Sequence, residues 1–149
     1  MGLIVVAYEV RQNTTIAAAE YSQASYDNWM QLASMEAQSD VGEIFIKAIE
    51  DPDSLSKQEI FKLNAWLLFV VSIYDNSDLA ADFGVDTSSA YIYPEDARYY
   101  FSNAHSRLWF ESNKYWIRPR VAAVISKEIQ STPISTEWNP QGVIDQDAN

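Results

Sequence analysis

Apolar positions recur at helical spacing over most of the chain, and proline, glycine and capping residues cut that pattern into segments. From Leu3 to about Gln38 there is no proline, and Gly2 alone precedes the run, so one long helix is expected, loosened near Asn13-Thr14-Thr15. Its second half aligns Ala18, Ser22, Tyr26, Trp29, Ala33 and Ala37. That stripe is expected to face a neighbouring helix, with small residues allowing close approach around two large knobs. Asp40 with Glu43 reads as a capping box opening a short helix over Val41–Glu50, whose buried face is Ile44, Phe45, Ala48 and Ile49. Asp51-Pro52-Asp53-Ser54 closes it. Ser56 as N-cap, Glu59 three residues on, and Leu55 with Ile60 as a hydrophobic staple then start a helix. It runs through Leu63, Trp66, Leu67, Val70, Val71 and Tyr74 to about Phe83, with Gly84 just beyond its end. Ala65 to Tyr74 is apolar nearly all round, the signature of a central helix buried on most sides.

Asp86 to Ser89 reads as a loop, and Ala90 to Tyr93 as a short extended piece with no partner strand. Pro94, followed by Glu95 and Asp96, opens a helix through Tyr99, Tyr100 and Phe101. Another is expected from about Ala104 to Ile117, carrying Leu108, Trp109, Tyr115 and Trp116; a last amphipathic helix after Arg118-Pro119-Arg120 holds Val121, Val124, Ile125 and Ile129. The fold class expected is therefore all-α: an antiparallel helical bundle with a long N-terminal helix and a buried central helix. One domain covers residues 1–130, and 131–149 form a flexible or surface-draped tail anchored by Trp138.

At 149 residues, 48% hydrophobic and 13% aromatic, the chain has enough apolar content for a real core, which excludes intrinsic disorder for most of it. With no cysteine and one histidine, disulfide scaffolds, thiolate zinc sites and iron–sulfur ligation are excluded. The net charge of −11 argues against a nucleic-acid partner. That charge is unevenly spread: −12 over residues 1–97, +5 over 98–127 and −4 over 128–149. The expected consequence is that the basic C-terminal helices dock on the acidic N-terminal ones within the same molecule.

Asp75, Asp78 and Asp82 share one face near the end of the central helix, with Asp86 beyond. Carboxylates of this kind suit calcium or magnesium, but no EF-hand order is present, and the face is expected to be a solvated acidic surface, with no metal site. His105 is expected to be exposed or to cap a helix. No Gly-x-Ser-x-Gly elbow, His-Glu-x-x-His pair or glycine-rich phosphate loop occurs, so no catalytic residue and no cofactor are assigned.

Leu3 to Tyr8 is apolar on every side, about two helical turns, where a membrane span takes roughly 20 residues. There is no basic segment ahead of it to make a secretory signal, and Val6 at the sixth position makes Gly2 a poor myristoylation site. The run is thus either a buried helix start or the stub of a membrane helix.

Four ordered motifs resemble a widespread group of small bacterial proteins with an N-terminal membrane helix followed by a helical domain. They are Glu9-Val10-Arg11-Gln12-Asn13-Thr14; Asp51-Pro52-Asp53-Ser54-Leu55-Ser56 with Glu59; Tyr74-Asp75; and Arg107-Leu108-Trp109-Phe110. The resemblance implies that the apolar start is a truncated membrane anchor, and it singles out Tyr74, Asp75, Arg107 and Trp109 as ligand- or partner-binding candidates. The function expected is a non-enzymatic helical domain, membrane-associated through a single N-terminal anchor, that binds a partner protein or senses a ligand. Two alternatives stay open: a soluble, cytoplasmic homo-oligomer that buries Leu3 to Val10 against its copy, and a divalent-metal-dependent enzyme using Asp75, Asp78, Asp82 and Arg107.

Overall fold

The computed structural model describes residues 2–38, 40–85 and 92–139, and these form six α-helices in an all-α bundle. In chain order they are α1 (Gly2–Gln38), α2 (Val41–Glu50), α3 (Lys57–Asp82), α4 (Pro94–Tyr100), α5 (Ala104–Asn113) and α6 (Pro119–Ser131), with a single 3₁₀ turn over Pro52–Ser54. Of the loop and extended piece expected over Asp86 to Tyr93, residues 86–91 lie outside the described residues.

α3 is the axis of the molecule, with α1, α2, α5 and α6 packed around it and α4 packed on α6. Its start is as the sequence predicts: Ser56 Oγ accepts from the Glu59 N–H at 3.2 Å, and the Ser56 N–H donates to Glu59 Oε2 at 2.7 Å. Gly84 ends it at φ +78°, the left-handed conformation that glycine adopts without strain. Between these signals Leu63, Trp66, Leu67, Val70, Val71, Ile73 and Tyr74 are buried. Phe61, Ala65 and Leu68 lie along one exposed edge, so α3 is not enclosed all round.

α1 is one unbroken helix of 37 residues. The loosening expected at Asn13-Thr14-Thr15 does not occur, because the Thr14 and Thr15 hydroxyls donate back to the Val10 and Arg11 carbonyls and satisfy themselves within the helix. The predicted stripe is also displaced. Ser22, Tyr26, Ala33 and Ala37 face solvent, while Tyr21, Ser25, Asn28, Trp29, Leu32, Met35 and Glu36 turn inward. The reason lies across the helix pair. The Tyr21 hydroxyl donates to Ser77 Oγ at 2.8 Å and Trp29 packs edge-on to Tyr74, contacts that run α1 antiparallel to α3 and bury a half-polar face.

Asp40 does not cap α2. Its backbone sits at φ −74°, ψ 1° and its carboxylate instead accepts from Lys62 Nζ on α3 at 2.5 Å. The approach of α2 to α1 depends on Gly42, where a Cβ would lie 2.9 Å from the Glu36 carbonyl oxygen. α5 ends at Asn113, earlier than the expected Ile117, where the Asn113 amide donates to the Trp109 carbonyl and accepts from the Trp116 indole. After α6, residues 132–139 run across the surface: Ser135 N–H donates to the Ser102 carbonyl at 2.9 Å, and Trp138 packs on Phe45 and Tyr99. Residues 140–149 lie outside the described residues.

Candidate functional site

Tyr74, Asp75, Arg107 and Trp109 do not gather into one site. Although Tyr74 and Asp75 are adjacent, α3 sends them to different neighbours. Asp75 looks toward α6, where its Oδ1 accepts the Arg118 N–H at 3.1 Å and so caps the helix that Pro119 begins. Asp78 beside it is 2% exposed; Arg118 Nε donates to its Oδ2 at 2.6 Å and Arg120 Nε lies 3.2 Å from Oδ1. Both guanidinium groups also reach Asp82. The expected solvated face is therefore corrected: Asp78 and Asp82 are paired with two arginines and Asp75 with the N-terminus of α6. Three acids near the end of α3 oppose its own dipole, and the positive end of α6 with its arginines supplies the compensation. No cluster of three metal-ligating side chains is found among the described residues.

The docking of basic on acidic segments holds for Arg118 and Arg120, but the other cations are used differently. Arg98 pairs with Glu95 and Glu128, and Lys114 with Glu111, all in the C-terminal half. Arg107 meets no carboxylate: its guanidinium donates to the carbonyls of Phe101 (2.9 Å), Ile129 (3.2 Å) and Pro133 (2.9 Å). It ties the end of α4, the end of α6 and the following segment together. Trp109 is buried edge-on to Trp116. His105 is half-buried, with its Nε2 2.8 Å from Asn64 Oδ1 on α3 and its pKa lowered by that burial, a correction to the exposed or capping role expected for it.

Tyr74 occupies different surroundings. Its ring, 1% exposed, packs against Trp29, and its buried hydroxyl lies beside Asp96, with Tyr100 and Glu36 also near enough to act on it electrostatically. Trp66, also 1% exposed, stands 5.4 Å from Tyr100, which stands 5.0 Å from Tyr99. Two half-buried carboxylates border these rings, Glu36 from the last turn of α1 and Asp96 from the first turn of α4. Asp96 Oδ2 accepts the Tyr93 N–H at 3.2 Å, whereas Glu36 Oε1 is buried with no partner.

Neither the protein-family models nor the curated proteins nor the solved structures include a match to this chain. The chemistry of the cluster is thus read from its own geometry. Burial raises the pKa of Glu36 and of Asp96, with the Tyr93 N–H and Tyr74 opposing the rise at Asp96. Burial, and then the charge of Glu36, raises Tyr99 to about 12, and both Tyr74 and Tyr100 are pushed further up. Neither carboxylate's pKa is held down by a lysine or arginine among the described residues. This is a cluster of buried aromatic rings with two half-buried carboxylates at its border. Sequence reasoning found Tyr74 but missed Glu36, Asp96, Tyr99 and Tyr100, which are spread over more than 60 residues and share no spacing motif.

The raised carboxylates set a direction for pH dependence. A group whose pKa is higher in the folded than in the unfolded chain favours folding while protonated. Its contribution is complete below the unfolded value of 4.5 for Glu36 and fades as pH rises through the folded one. Glu59 has the opposite sign: Lys47, at 2.9 Å, and the Ser56 contacts hold it at about 2, so its contribution is present above 4.5 and disappears on acidification. Glu36→Gln is expected to raise the thermal midpoint at neutral pH and to leave it unchanged below the ordinary carboxylate range, as measured by thermal unfolding across pH.

Proposed function

We propose that this chain is a non-enzymatic binding domain, tethered to a membrane through α1. One observation carries the tether. From Val6 to Ala17 every described side chain of α1 is exposed, among them Val6 at 56%, Tyr8 at 68%, Val10 at 59% and Ile16 at 48%. A helical arm of about 1.5 Å per residue thus projects over some three turns with apolar side chains that no described residue covers. The resemblance to bacterial proteins with an N-terminal membrane helix supports the same reading. Among the described residues no helix is long and apolar enough to cross a membrane, so the reading requires apolar turns ahead of Met1 in the native gene. The protein expressed from its full native locus is expected to sediment with membranes, to stay there through a high-salt wash and to be released by detergent. Recovery in the soluble fraction would falsify the tether.

A second reading has its own observation. Val6, Val10, Ala17 and Ala24 fall on one exposed face of α1, and that face leads into a groove of about 350 Å³ between α1 and α3, lined by Tyr21, Ala24, Ser25, Asn28, Leu79 and Phe83 among others. Two copies packed along α1 would cover both. Sedimentation equilibrium separates the readings: a concentration-dependent dimer that becomes a folded monomer on deletion of residues 1–10 supports self-association over the membrane.

A further inference from the structure

We infer that two copies of this chain pair in parallel and in register along α1, through a heptad seam that runs from Leu3 to Asn28. This rests on the self-association reading above and supplies its orientation, register and contact residues. At spacings of three and four, α1 carries Ala7, Thr14, Tyr21 and Asn28 at the a positions of the repeat and Leu3, Val10, Ala17 and Ala24 at the d positions. None of these places holds a charge, although Glu9, Arg11, Glu20 and Asp27 lie next to them in sequence. A 3.5-residue repeat kept over roughly three to four heptads marks a coiled-coil seam. Within one copy the seam is open: Val10, Thr14, Ala17 and Ala24 are exposed, and Tyr21 and Asn28 are half-buried.

Two observations beyond the spacing suit this surface to packing. Its hydroxyls are already satisfied inside the chain. Thr14 Oγ1 donates to the Val10 carbonyl at 2.9 Å, and the Tyr21 hydroxyl donates to Ser77 Oγ at 2.8 Å, which donates on to the Ile73 carbonyl at 2.9 Å. Covering these side chains therefore strands no donor. The seam also leads into the groove of about 350 Å³ between α1 and α3, which Ala24 and Asn28 line together with Leu79, 43% exposed, and Phe83, 78% exposed. A second α1 laid over Ala24 approaches closely, because that side chain is small, and Leu79 and Phe83 cover its flank; the two-fold axis gives the same cover in return.

Asn28 selects both occupant and orientation. Lipid covers Val10 as well as protein does, but it offers nothing to an amide. In a parallel pair an a residue faces its own counterpart, so the two Asn28 side chains each donate to the other's carbonyl oxygen. In an antiparallel pair centred on Ala17 the amide would meet Val6 and lose that partner. A single a-position asparagine fixes register in two-stranded coiled coils in this way. Parallel arms leave the bundle on the same side, so the pairing is compatible with the membrane tether.

The chain has no cysteine, so disulfide trapping reads the seam directly. Val10→Cys, Ala17→Cys and Ala24→Cys are introduced one at a time into the protein expressed from its full native locus, oxidised with diamide and resolved on a non-reducing gel. Gln12→Cys and Ala19→Cys, exposed on the opposite face of α1, are the controls. Covalent dimer is expected at positions 10, 17 and 24 and not at 12 or 19. Ala17→Glu, added to Val10→Cys, is expected to cut trapping about tenfold or more, since it buries a charge against its own copy. Position 17 faces solvent in the single copy, so this variant keeps its helical circular dichroism. Trapping at 17 alone, with 10 joining only to 24 in a mixture of the two variants, means antiparallel pairing and overturns the inference. Equal trapping at seam and control positions, no trapping at the seam, or unchanged trapping in a folded Ala17→Glu variant overturns it too. A dimer in sedimentation equilibrium without seam trapping sinks this register and leaves self-association standing, whereas a monomer there sinks both. Recovery of the native protein in the soluble fraction bears on the tether alone, and the trapping then runs on the soluble extract.

Discussion

Trp66→Ala is expected to lower the unfolding free energy by about 3–5 kcal/mol, the range for truncating a large buried aromatic. Trp66 is 1% exposed on α3 and lies 5.0 Å from Phe45 of α2 and 5.4 Å from Tyr100 of α4, ring centroid to ring centroid. Removing the indole opens a cavity where three helices meet and removes two aromatic contacts at once. Because domains of this size are stable by only about 5–15 kcal/mol, the loss is a large fraction of the total and shifts the midpoint by about 10 °C. Trp66→Phe is expected to cost far less than alanine. Its ring keeps most of the packing, and it deletes an indole N–H that is buried without a partner, a group whose burial is itself unfavourable by about 1–3 kcal/mol. Urea unfolding of both variants checks the order; equal losses would mean that the indole N–H is satisfied after all.

The second large effect concerns Arg107. Arg107→Ala is expected to destabilise the chain by about 2–3 kcal/mol, since hydrogen bonds from a charged donor are stronger than neutral ones and their removal leaves two part-buried carbonyls without a partner. Lysine should not rescue it. The three acceptors, Phe101, Ile129 and Pro133, lie in different directions and use Nε, Nη1 and Nη2 separately, which a single ammonium on a flexible stem does not reproduce. The local readout is amide exchange at Ser135, whose N–H donates to the Ser102 carbonyl in the segment that Arg107 holds. Faster exchange at Ser135 with α3 amides unchanged is the expected pattern. Uniform acceleration throughout the chain would instead place Arg107 in the global core.

What could be read from the sequence was what local chemistry decides. Ser56 with Glu59, Gly84, Pro94 and Pro119 each act within a turn, and each begins or ends a helix where expected. The near-continuous apolar run of α3 identified the central helix. Asp40 with Glu43 has the same local pattern as Ser56 with Glu59, but its carboxylate was drawn off by Lys62, a partner 22 residues away. The faces of α1 failed for a related reason. Small residues occur on both sides of the helix, and burial was decided by polar and aromatic partners on α3, Ser77 and Tyr74, that no period within α1 reveals.

Charge patterning showed the same limit. The spacing of Asp75, Asp78 and Asp82 placed them on one face, but what covers that face depends on how Arg118-Pro119-Arg120 starts α6 against it. The cluster around Tyr74 was the least legible part. Glu36 sits in a polar helix end, Asp96 reads as an ordinary first-turn acid, and only the folded bundle brings both to Tyr74. A useful signal lay in the sequence nonetheless: residues 12–46 contain no Lys or Arg at all, so a carboxylate drawn inward from that stretch has no local counter-ion.

A membrane tether requires that lipid surround the projecting half of α1. Because the chain has no cysteine, single substitutions report without background. The decisive measurement compares Val6→Cys with Lys57→Cys in opened membrane sheets from cells expressing the full native locus, using a water-soluble maleimide. The account predicts that Cys at position 57 is labelled at once, while Cys at position 6 is protected until detergent is added. Equal labelling of both before detergent would contradict it.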